Sequence, residues 1–78
     1  PFSVLYSAMN NPKAKVLISC RNETKITGTL LAYDRHFNMV LKGAMEAKEN
    51  KESGDLDMRS FETLFLRGDN VIFVIKMD

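Results

Sequence analysis

Two short stretches hold the residue types that could do chemistry: Asp34-Arg35-His36-Phe37-Asn38 and Arg67-Gly68-Asp69-Asn70. Asp and Asn suit turns, because their side chains bond nearby backbone and tolerate left-handed conformations. A turn has no need of Arg or His. Arg35, His36 and Arg67 each carry a planar, hydrogen-bonding group of the kind on which an unpaired base can stack. Asn38 carries an amide whose donor and acceptor can match a base edge. Taken singly, each residue has a plainer reading. His36 is then a surface loop histidine, Asn38 a turn former, and Arg67 to Asn70 a hairpin tip with Gly68 left-handed. Arg35 divides evenly between a phosphate contact and a solvated side chain. Only the joint occurrence lifts the binding reading above these. Asp34 is assigned to structure, its carboxylate accepting backbone N–H bonds and so tying the two turns together.

The elements that must position these turns are strands. Val16-Leu17-Ile18 is β-branched and apolar, and Arg21-Asn22-Glu23-Thr24 reads as a polar turn. Ile26, Gly28, Leu30 and Ala32 then alternate with Thr27, Thr29, Leu31 and Tyr33, and Phe37, Met39 and Leu41 resume the alternation. A glycine inside a strand marks a bend, a bulge or a close backbone approach, so Gly28 is expected to let a long second strand curve sharply. Glu46, Lys48, Glu49, Lys51, Glu52, Asp55 and Asp57 surround Ser53-Gly54, which reads as an exposed charged loop over about 46–58. Phe61 to Leu66 and Val71 to Ile75 are further strands. Ahead of them all, 2–11 is the one plausible helix, with Phe2, Leu5, Ala8 and Met9 near helical spacing, Ser3 as cap and Pro12 as stop. The expected fold is therefore mainly β: a short helix, then a strongly bent five-stranded antiparallel sheet in a small open barrel.

Val71-Ile72-Phe73-Val74-Ile75 is apolar on both faces. A strand of a small sheet open to water should have one polar face, and 78 residues supply little material to cover a second apolar one. The simplest solution is a neighbouring subunit, so an oligomer built through strand edges is expected.

Eleven basic and ten acidic side chains give a net charge of +1. That argues against a sequence-independent duplex binder, which needs a basic face, and leaves room for one that concentrates a few cations at one spot. Cys20, the single cysteine, excludes an internal disulfide and any four-Cys zinc site, and its apolar run marks it as a small core residue. A hydrolase using Cys20, His36 and Asp34 is the weakest reading, and no cofactor or metal motif is present. No apolar run is of membrane-spanning length, nothing at the start resembles a signal peptide, and Pro1 in place of Met suggests a processed or trimmed chain. A peptide-binding SH3-like module would account for short strands but calls for clustered exposed aromatics, and the chain has no Trp.

In order, these residues resemble the Sm and Sm-like family. Gly28, Asp34, Asn38 and Met39-Val40-Leu41 match its first motif (about 15–44). Leu66-Arg67-Gly68 before a hydrophobic strand matches its second (about 60–77), all within one domain over 1–78. Phe37 departs from the pattern, standing where a small residue is expected. The resemblance implies a non-catalytic subunit of a ring of seven different chains, in which the fourth strand of one pairs with the fifth of the next. A uridine-rich single-stranded stretch of small nuclear RNA would thread the hole. By motif position His36 stacks on a base, Asn38 reads it and Arg67 lies on its other face, with Arg35 and Gly68 beside them and Gly28, Asp34 and Asp69 supporting the loops. Phe65, Leu66, Val71, Ile72, Phe73, Val74 and Ile75 would form the subunit joints. An Sm-like ring in RNA processing or decay is the alternative within the same class.

Overall fold

The computed structural model describes residues 2–11 and 14–77, and of Phe2 the backbone alone. One helix, α1 (Phe2–Met9), precedes β1 (Lys15–Cys20), β2 (Thr24–Tyr33), β3 (Met39–Glu49), β4 (Leu56–Leu66) and β5 (Val71–Met77). The strands form a single antiparallel sheet in the order β4-β3-β2-β1-β5. The first and last places belong to β4 and β5, so these two carry the free edges. The mainly-β fold read from the sequence is the fold observed.

Helix α1 is shorter than the expected 2–11 and contains Ser3, which therefore does not stand ahead of it as a cap. Pro12, the expected stop, lies outside the described residues, as does the side chain of Phe2. Leu5 and Ala8 are buried and Met9 is exposed, so the apolar stripe is narrower than its spacing suggested. Eight residues are too few for a stable isolated helix, and α1 is held by packing on β2 and β5.

The core lies inside the bend of the sheet, formed by Leu5, Ala8, Val16, Ile18, Cys20, Ile26, Leu30, Met39, Leu41 and Ala44. Gly28 sits where β2 runs close against β3. A Cβ there would stand 3.2 Å from the Ala44 Cα and 3.3 Å from the Lys42 carbonyl oxygen. The β2–β3 register shifts between Thr27 and Thr29, with Gly43 left-handed at φ 60° in the facing bulge. A second shift follows between Leu30 and Ala32. It explains why Ala32, expected to continue the inward set, is exposed.

The charged segment is not a loop over 46–58. Strands β3 and β4 run through most of it and leave only 50–55 as the connection. The register places Glu46 opposite Arg59 and Lys48 opposite Asp57. Strands need only compatible cross-strand neighbours to pair, and opposite charges supply them where no core is available. The molecule measures 39 × 22 × 20 Å overall.

Candidate nucleic-acid interface

The β2–β3 turn is organised by Asp34. Its Oδ1 accepts the backbone N–H groups of His36 at 2.8 Å and Asn38 at 3.1 Å, and its Oδ2 accepts the Asn38 side-chain amide at 3.0 Å. Backbone bonds from Asp34 to the Asn38 carbonyl and from Phe37 to the Asp34 carbonyl close the turn. Phe37 takes a left-handed conformation at φ 63° while its ring packs against the core, which is how a large side chain is accommodated here.

Asp34 does not reach the second turn. That junction belongs to Asn38, whose Oδ1 accepts the Gly68 N–H at 2.8 Å. An amide has two donor hydrogens and two acceptor lone pairs. With one of each used by Asp34 and Gly68, a donor and an acceptor are left for a ligand. Asn38 is thus both strut and possible reader, where the sequence suggested two separate residues. Gly68 is needed for closeness, since a Cβ added there would fall on the His36 carbonyl. It is not left-handed, and Arg67 to Asn70 is not a hairpin tip. Gly68–Asn70 form a 3-10 turn (η1) joining strands at opposite edges of the sheet.

Burial opposes ionisation of Asp34. The amide of Asn38, the N–H groups of His36 and Asn38 and the electrostatic pull of His36 outweigh it and hold the carboxyl below its usual range. A carboxyl lowered by folding contributes stability above its unfolded value, near pH 4, and that contribution is lost as pH falls through the lower folded value. Asp34→Asn should therefore melt below the native chain at neutral pH, with the gap closing below about pH 4. Parallel melting curves across pH would show this, and a gap independent of pH would contradict it.

Arg67 is exposed and its guanidinium meets the Asp69 carboxylate at 3.0 Å. Such a pair adds little stability but directs the planar group. Beside the junction lies a groove of about 320 Å³ lined by Tyr33, Asp34, Asn38, Phe65, Leu66 and Arg67 among others. His36 is exposed on the same turn but does not line the groove. The groove's aromatic walls are Tyr33 and Phe65. Tyr33, which also packs on the core, is a groove residue that the sequence does not single out. Its place at the end of β2, one residue before Asp34, was the available signal.

Arg35 is exposed in the same turn. Phe65 and Leu66 end β4 at one sheet edge, while Val71, Ile72, Phe73, Val74 and Ile75 lie in β5 at the other. Phe65, Ile72, Phe73 and Ile75 are exposed, whereas Leu66, Val71 and Val74 pack on the core. Among the described residues the exposed aromatics Tyr6, Phe65 and Phe73 lie on α1, β4 and β5. Burial, with Glu46 nearby, pushes the Cys20 thiol up, the opposite of what a nucleophile requires.

The LSM domain matches residues 8–76 of the chain. The chain belongs to the Sm and Sm-like family. Probable small nuclear ribonucleoprotein Sm D2 of Dictyostelium discoideum is 40% identical to it over 85 residues, covering 97% of this chain and 75% of that protein. Small nuclear ribonucleoprotein Sm D2 of Saccharomyces cerevisiae is 41% identical over 78 residues, covering 97% and 70%. A heptameric archaeal Sm protein superposes with a TM-score of 0.68 at 27% identity, over 94% of this chain and 98% of its own. Within the Sm family the likeness is to the D2 type, and the family's proteins are non-catalytic.

Proposed function

We propose that the chain is an RNA-binding scaffold subunit of a heteroheptameric Sm ring that encircles a uridine-rich single-stranded site of spliceosomal small nuclear RNA. In this reading it supports small nuclear ribonucleoprotein assembly and pre-mRNA splicing. Its neighbours are Sm subunits of the D-one and F types, joined through β4-to-β5 pairing, and it works in the nucleus after a cytoplasmic assembly phase. The D2-type relatives and the heptameric archaeal neighbour support the ring. The observation that carries the reading is the bond from the Gly68 N–H to Asn38 Oδ1. It locks two polar turns together beside two open sheet edges, so one assembly step would aim every subunit's turns at a shared channel.

Each subunit then holds one nucleotide, with Asn38 at the base edge and the planes of His36 and Arg67 available for stacking. Stacking contributes about 1–3 kcal/mol per base, so a single subunit binds weakly. Several linked sites bind tightly through effective concentration. The isolated chain should hold oligo-uridine poorly and the complete ring should hold it tightly, as measured by fluorescence anisotropy. Equal affinity would end the proposal.

Within the ring, Arg67→Ala is the cleaner binding test, because its side chain is exposed and bonds only Asp69 among the described residues. It should weaken RNA binding roughly tenfold, the loss of one stacked cation, while the ring still assembles by native mass spectrometry. Asn38→Ala removes a strut as well as a reader and reports on both.

A further inference from the structure

The β1–β2 turn joins the same surface. Residues Asn22 and Glu23 are both left-handed, at φ 64° and 58°, which makes the reversal tight and fixes where it begins. At its start the Arg21 N–H donates to the Asn70 carbonyl at 2.9 Å. Turn η1 is therefore anchored at both ends: Gly68 on Asn38 of the β2–β3 turn, and Asn70 on Arg21 of the β1–β2 turn. These two turns lie at opposite ends of the ten-residue strand β2. One short turn nonetheless bonds to both.

The three turns form one polar track, running from Asn38 through Gly68 and Asn70 to Arg21. The cations along it are not equivalent. Arg67 faces the Asp69 carboxylate, which cancels much of its charge towards a phosphate. The Arg21 guanidinium is exposed and has no hydrogen bond or ion pair among the described residues. A cleft of about 180 Å³ opens beside it, with Asn22, Thr24, Glu46 and Asn70 on its walls. The Glu46 carboxylate on the cleft wall disfavours a phosphate inside it, which leaves the exposed Arg21 side chain to meet the anion at the surface.

We propose that Arg21 is a third RNA contact: it binds the phosphodiester next to the nucleotide held at Asn38 and Arg67, and leads the strand along η1. This rests on the RNA-binding reading above. Arg21 adds charge without base selection, because a guanidinium on a phosphate reads no base.

The test uses the reconstituted ring carrying Arg21→Gln, with oligo-uridine and with oligomers in which single phosphates are replaced by neutral methylphosphonate. Binding should fall roughly tenfold, as for a lost charge-assisted hydrogen bond. The slope of log affinity against log salt should drop by about 0.7, one phosphate's worth for a single strand. Preference for uridine over cytidine should stay as in the native ring. One methylphosphonate position should weaken the native ring yet cause no further loss in the variant. If the native ring does not bind oligo-uridine, the RNA-binding reading itself fails. If it binds and Arg21→Gln keeps both affinity and slope, or if every methylphosphonate loss adds to that of the variant, the Arg21 contact is wrong and the two-turn site stands.

Discussion

Gly68→Ala should melt about 4–24 °C below the native chain, and a ring containing it should lose RNA binding. The added methyl meets backbone, namely the His36 carbonyl, and not the tip of a side chain that could swing away. Relief requires the two turns to separate, which stretches the 2.8 Å bond from the Gly68 N–H to Asn38 Oδ1. Overpacking of this kind costs typically about 1–3 kcal/mol. A domain of this length loses some 4–8 °C for each kcal/mol. Two other glycines serve as controls. At Gly28 the nearest atoms are 3.2 Å and 3.3 Å from an added Cβ, so a few tenths of an ångström of movement would admit alanine. At Gly54 there is open space, and alanine would carry only the strain of a left-handed φ of 76°. The expected order of damage is Gly68 over Gly28 over Gly54, checked by circular dichroism melts. A Gly68→Ala chain that melts with the Gly54→Ala chain would mean the turns are not in backbone contact.

The bend at Gly28 and the two polar turns were legible in the sequence because each depends on local residue type. A glycine interrupts alternation, and Asp, Asn and Gly gather where the chain reverses. Which turn touches which depends on tertiary closure, and no local pattern encodes it. The sequence therefore points to Asp34 for a link that Asn38 makes, and does not single out Tyr33 as a wall of the groove. The charged segment was misread for another reason. Alternating signs describe a solvated loop and an exposed two-stranded arm equally well, and pairing Glu46 with Arg59 and Lys48 with Asp57 requires the register. The double-sided apolarity of β5 was informative because it conflicts with a domain of this size. The strand proves to be a sheet edge with Ile72, Phe73 and Ile75 exposed.

The same edge carries the other large effect expected. In β5, Val74 packs against the core, whereas Ile72 and Ile75 are 62% and 47% exposed. Charging these positions should have different consequences. Val74→Asp sets an unpaired carboxylate half-buried against the core and should destabilise the fold strongly. Ile72→Asp combined with Ile75→Asp removes little from the subunit's own core, so the chain should stay folded, with native-like circular dichroism. It should fail to enter a ring. Each apolar side chain buried at a joint contributes about 1.5–3 kcal/mol, so losing two costs about 3–6 kcal/mol, a factor of roughly 10² to 10⁴ in association. Strand pairing alone does not offset this, because backbone groups at an open edge already bond to water and gain little by exchange. Native mass spectrometry with the proposed D-one-type and F-type neighbours would read the outcome, with Phe65→Asp on β4 testing the opposite edge. Assembly of the double variant at native concentrations would mean that the exposed apolar face of β5 is not where subunits join. The turns would then lack the neighbour that points them inward, since a ring needs both edges of every subunit to be used.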